Sequence, residues 1–151
     1  MDLRERKMLV ENELFARISN YYDKNMDGSY VYKSAKDRKL LSMDCIFNYC
    51  IERNFDVDEV YEVVKQKYDL GIDIEQEKFI RRVLIYHECD DKEKREQYVR
   101  EEFDKYCSKN NIDKSVAIDL VMDRIKWKKK QKNTVSKFEH FDNIKDIIEE
   151  R

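Results

Sequence analysis

The chain has 151 residues, with 31 Lys+Arg against 33 Asp+Glu, two Gly, no Pro and four Cys. A hydrophobic content of 41% and a net charge of -2 exclude an acidic disordered chain, and the length suits a domain that buries roughly 70% of its unfolded surface. So few turn formers exclude an all-β fold, and no apolar run approaches the ~20 residues of a membrane span.

Apolar residues recur at helical spacing in seven segments. Val10, Leu14, Phe15, Ile18 and Tyr22 make the first stripe; Leu40, Met43, Phe47, Cys50 and Ile51 make the second. Val57, Val60, Tyr61, Val64 and Tyr68 form the third, followed by Phe79, Ile80, Val83 and Leu84. Val99, Phe103, Tyr106 and Cys107 come next, then Val116, Ala117, Leu120 and Val121, and last Phe138, Phe141, Ile144 and Ile148. Asp56 with Glu59, Asp73 with Gln76, Asp90 with Glu93 and Ser136 with Glu139 have the spacing of N-terminal helix caps. The expected fold is all-α: a compact bundle of about six to seven helices built from antiparallel helical hairpins.

An internal echo reinforces the hairpin reading. Tyr49-Cys50 followed by Asn54-Phe55-Asp56 matches Tyr106-Cys107 followed by Asn111-Ile112-Asp113, fifty-seven residues later. Residues 23–33 and 131–136 carry Lys, Asn, Ser and Thr without an apolar stripe. The second stretch divides a helical body, 1–132, from a short linker and amphipathic C-terminal helix, 133–151. A helix this short is marginal alone in water, so Phe138, Phe141, Ile144 and Ile148 require a docking surface. That surface is either the chain's own body or a neighbouring copy in a homodimer.

Two short stretches resemble functional motifs. Asp23-Lys24-Asn25-Met26-Asp27-Gly28-Ser29 resembles the first half of an EF-hand calcium loop, with Asp23, Asn25 and Asp27 at ligand positions and Gly28 at the sharp turn. Ser34 stands where that loop needs its bidentate Glu, so the alternative is an Asx-rich turn with Ser34 capping the next helix. Arg82-Val83-Leu84-Ile85-Tyr86-His87 looks like the Arg-x4-His element of HEPN-type ribonucleases, although Val83 replaces the polar residue that usually follows the Arg. These resemblances would imply calcium binding and RNA cleavage. Cys45, Cys50, Cys89 and Cys107 lack the spacing of a zinc site, and no cofactor or metal is expected. No Gly-rich phosphate loop, nucleophile elbow or paired-histidine metal motif is present.

Residues 124–137 carry seven positive charges and no negative ones. Arg124, Lys126, Trp127, Lys128, Lys129, Lys130 and Lys132 are therefore the expected contacts for nucleic acid or another anionic partner. Ten Tyr and seven Phe supply interface anchors, so the leading expectation is a small non-catalytic regulatory protein that binds another protein. The opening MDLRERK lacks the apolar core of a secretory signal, which places the expected site of action in the cytoplasm with reduced thiols. Only three Ala beside abundant Lys, Asp, Glu, Ile, Asn and Tyr match the residue bias of an AT-rich genome of a bacterium, phage or virus.

Overall fold

The computed structural model describes residues 1–132 and 144–149. All regular elements among them are helical, save one isolated antiparallel bridge between Lys24 and Tyr30. The chain forms two compact units, Met1–Ile72 and Asp73–Arg151.

The first unit begins with one continuous helical path. It runs as α1 (Leu3–Leu9), a π-turn over Val10–Leu14, α2 (Phe15–Ser19) and a 3-10 turn over Asn20–Tyr22. The π-turn lets Val10, Leu14 and Ile18 all reach the core of this unit. After a loop come α3 (Ala35–Arg53) and α4 (Val57–Lys65), whose buried faces are Met43, Ile46 and Tyr49 on one and Val60 and Val64 on the other.

The second unit contains α5 (Ile74–His87), α6 (Lys92–Asn110), α7 (Lys114–Lys132) and α8 (Ile144–Glu149). Its core is organised around aromatic rings: Phe79 meets Phe103 edge-on at 5.0 Å and stacks on Tyr106 at 4.1 Å. On α7 the buried stripe is Ala117, Ile118, Val121 and Ile125, while Val116, expected inside, is exposed. Its neighbour Ile118 takes the inward position instead.

Helix starts are set by short acidic and hydroxyl side chains. The Asp56 carboxylate accepts from the Glu59 amide and Asp73 from the Gln76 amide, each at 3.1 Å. Ser34 accepts from the Asp37 amide at 3.2 Å and so opens α3. At α6 the cap is Asp91 rather than the expected Asp90; it accepts from the amides of Glu93 and Lys94 at 3.1 and 3.2 Å. The Ser136 cap lies outside the described residues.

The sequence echo corresponds to one local structure built twice. α3 and α6 are both 19 residues long and end in Asn54 and Asn111, held in the left-handed region at φ 56° and 52°. The amides of Phe55 and Ile112 then return to the carbonyls of Cys50 and Cys107 at 2.9 and 3.2 Å. Asn suits this position because its short polar side chain tolerates a conformation that most side chains resist. Asp56 and Asp113 follow and lead into α4 and α7, so each unit holds the same helix, asparagine turn and second helix.

Candidate functional site

The Lys-rich end of α7 is not a continuous cationic surface. Arg124 is only 7% exposed and Trp127 only 6%, so the expectation that these two side chains meet an anionic partner is corrected. Arg124 stands seven residues after Ala117 and three after Val121, which continues the buried stripe of the helix. Its guanidinium gives two parallel bonds to the Glu77 carboxylate of α5, Nη1 to Oε2 at 2.7 Å and Nη2 to Oε1 at 2.5 Å. Lys126 and Lys130 are exposed, four residues apart on one edge, and Lys128 and Lys129 are half-buried. Lys132 closes the helix.

The terminal helix docks on its own unit. Ile144 and Ile148 are buried with Ile147, which the sequence stripe omitted although it lies three residues after Ile144. α8 rests on α6 and α7, and Arg100 Nε donates to the Ile147 carbonyl at 3.0 Å. Of the two surfaces expected for Ile144 and Ile148, the structure shows the chain's own body. Phe138 and Phe141 lie outside the described residues.

The stretch from Asp23 to Lys33 is a short hairpin, not an unstructured connection. The Gly28 amide closes a turn on the Asn25 carbonyl at 3.0 Å, with Gly28 at φ 89°, where a side chain would be strained. The amides of Asn25 and Val31 bond across to the carbonyls of Ser29 and Asp23 at 2.7 and 2.9 Å. Asp27 Oδ1 accepts from both the amide and the hydroxyl of Ser29, at 2.9 and 2.6 Å. Asn25 Nδ2 donates to the same hydroxyl at 3.1 Å. The Ser29 bonds hold the Asp27 carboxyl below its ordinary range, so it is charged at neutral pH. Asp27 Oδ1 and Asn25 Nδ2 are thus engaged within the turn. Among the described residues no three acidic, His or Cys side chains are placed to hold a metal ion.

Tyrosines tether this hairpin to its unit. Tyr22 meets Tyr30 edge-on at 6.1 Å, and Tyr21 meets Tyr32 at 5.3 Å. The Arg38 guanidinium lies 3.9 Å from the centre of the Tyr30 ring and donates to the carbonyls of Tyr32 and Lys33 at 2.7 and 3.1 Å. Tyr22 in turn packs on Tyr68, and Tyr68 on Phe15. Burial and a bond from Cys45 push the Tyr21 phenol up to about 12, so it serves as a neutral packing and hydrogen-bonding group. Met26, Val31 and Tyr32 are left in solvent, Met26 completely. A sequence signal for this arrangement exists: Asp27-Gly28 is a hairpin turn pair, flanked by tyrosines at 21, 22, 30 and 32.

The remaining sequence candidates are dispersed. Arg82 of α5 pairs with Glu102 of α6 at 3.1 Å, while His87 is buried at the end of α5. All four cysteines are free, and burial pushes the Cys50 thiol up to about 12. Cys50 is thus a thiol at neutral pH and behaves as a small apolar side chain. Comparison with models of known families, with curated proteins and with solved structures finds no match for this chain.

Proposed function

We propose that this protein acts by binding another protein, and that the hairpin spanning residues 23–33 carries the contact. One observation supports the reading: Met26, Val31 and Tyr32 are exposed on a backbone that hydrogen bonds and tyrosine packing fix in place. Exposed apolar side chains scattered singly mean little, but three on one ordered loop present a shaped surface. A loop ordered before binding loses less entropy when its partner arrives, so more of the contact energy appears as affinity. Tyr supplies a large amphipathic ring, and Met a side chain that adapts to its partner's shape.

The second reading is weak, sequence-tolerant binding of nucleic acid by Lys126, Lys128, Lys129, Lys130 and Lys132. Exposed Lys126 and Lys130 favour phosphate contacts, but with Trp127 buried the strip lacks the ring on which a base would stack. The two readings separate in one experiment. Native purification, with a photo-crosslinking amino acid at position 26, is compared with a Met26→Ser/Val31→Ser/Tyr32→Ala variant and a Lys128→Glu/Lys129→Glu/Lys130→Glu variant. We expect one stoichiometric protein crosslinked at position 26 and lost from the hairpin variant, with helicity unchanged in both variants. Co-purifying nucleic acid lost only from the lysine variant would replace this reading with the second.

A further inference from the structure

We infer that residues 23–33 are an insertion in one of two copies of a repeated three-helix motif, so that the fold does not need them and they form a separable binding element. The binding half rests on the reading of the hairpin proposed above. The repeat extends beyond the asparagine turns. α3 and α6 start and end 57 residues apart, and their N-terminal caps, Ser34 and Asp91, keep the same interval. α4 and α7 also begin 57 residues apart. Buried positions coincide across that interval: Ile46 with Phe103, Tyr49 with Tyr106, Cys50 with Cys107, Val60 with Ala117 and Val64 with Val121.

The helix before each pair matches at a different interval. The helical path ending at Tyr22 packs on both α3 and α4, as α5 packs on both α6 and α7. An interval of 65 residues separates Leu14 from Phe79 and Ile18 from Val83, all four fully buried. The same interval pairs Arg17 with Arg82 and Tyr21 with Tyr86. Each arginine bonds a glutamate of the next long helix: Arg17 Nη2 donates to Glu52 and Arg82 Nε to Glu102, both at 3.1 Å. The fall from 65 to 57 places eight extra residues in the first copy, between its first and second helices. Three residues, 88–90, lead from His87 to the cap at Asp91, whereas eleven, 23–33, lead from Tyr22 to the cap at Ser34. Helix–helix connections in bundles commonly run about 2–8 residues, so the shorter link suffices and the hairpin is surplus to it. Surface loops on a rigid scaffold accept such insertions and carry contacts.

The test replaces residues 23–33 of the full chain with Glu-Cys-Asp, the sequence of residues 88–90. Loop length changes closure entropy only slowly, and the packing lost is that of Tyr30 on Tyr22 and of Arg38 on Tyr30. The shortened chain should therefore melt within about 10 °C of the full chain. Its α3 and α4 amides should stay protected from exchange. Native purification should recover a protein with the full chain that the shortened chain does not carry. A shortened chain that is unfolded, or whose α3 amides exchange about a hundredfold faster, would overturn the insertion. A folded shortened chain that captures the same protein, or a full chain that captures none, would overturn the binding element and the reading it rests on, and leave the repeat standing.

Discussion

Arg124→Ala is expected to destabilise the second unit by about 3–5 kcal/mol, because it leaves the Glu77 carboxylate buried without its bidentate partner. Glu77→Ala should cost a similar amount for the converse reason. A buried ion pair is expensive to desolvate, so its presence alone is a poor measure of net stability. The distinguishing result is therefore the double variant. Glu77→Met/Arg124→Met removes both charges while retaining much of the volume, and it should be more stable than either single alanine variant. Chemical denaturation of the four proteins gives the comparison directly. Near-equal stability of wild type and Arg124→Ala would mean that Arg124 is exposed in solution, and would return it to the cationic strip.

Phe79→Ala should be equally severe, at about 3–5 kcal/mol. The ring is completely buried and touches two others, stacked on Tyr106 and edge-on to Phe103. Deleting it removes transfer energy and leaves a cavity that neighbouring helices on a fixed packing distance fill poorly. It also removes two ring pairs, each contributing about 0.5–1.5 kcal/mol beyond area burial. Phe79→Leu should recover part of the loss by restoring apolar volume. A loss below ~1 kcal/mol in Phe79→Ala, measured by urea unfolding, would contradict the packing described.

Local signals explain most of what the sequence made readable. The apolar stripes and the caps at Asp56 and Asp73 act over three or four residues, and the structure has most of them where periodicity puts them, except that Ile51 and Val116 face solvent while Ile46, Tyr49 and Ile118 are buried. The cap at Asp91 instead of Asp90 is a one-residue shift between two adjacent aspartates that both have the needed side chain. The asparagine turns were visible as a repeated string, because the left-handed conformation selects particular residues. Arg124 departs from its sequence expectation for a different reason. Its charge run is local, but its partner Glu77 lies 47 residues away, and nothing in the run itself reveals a buried carboxylate on another helix. Residues 23–33 lack helical periodicity, and their sequence reads as the first half of a calcium loop or as an Asx-rich turn, with only the sharp turn at Gly28 in common with the hairpin. Their order comes from cross-strand bonds and from tyrosines that meet only after the chain turns back.

The protein-binding account depends on a hairpin that is ordered before any partner arrives. Amide hydrogen exchange in the isolated protein measures that order at two positions, the amides of Asn25 and Val31, which bond to the carbonyls of Ser29 and Asp23. Both amides should exchange at least about tenfold more slowly than those of an unstructured peptide of the same sequence. Asp27→Ala removes the acceptor for Ser29 and should accelerate them, leaving the amides of α3 protected. If Asn25 and Val31 exchange at unstructured-peptide rates in the wild-type protein, the loop is not preformed. Met26, Val31 and Tyr32 would then present no fixed surface, and the proposed contact would lose its physical basis.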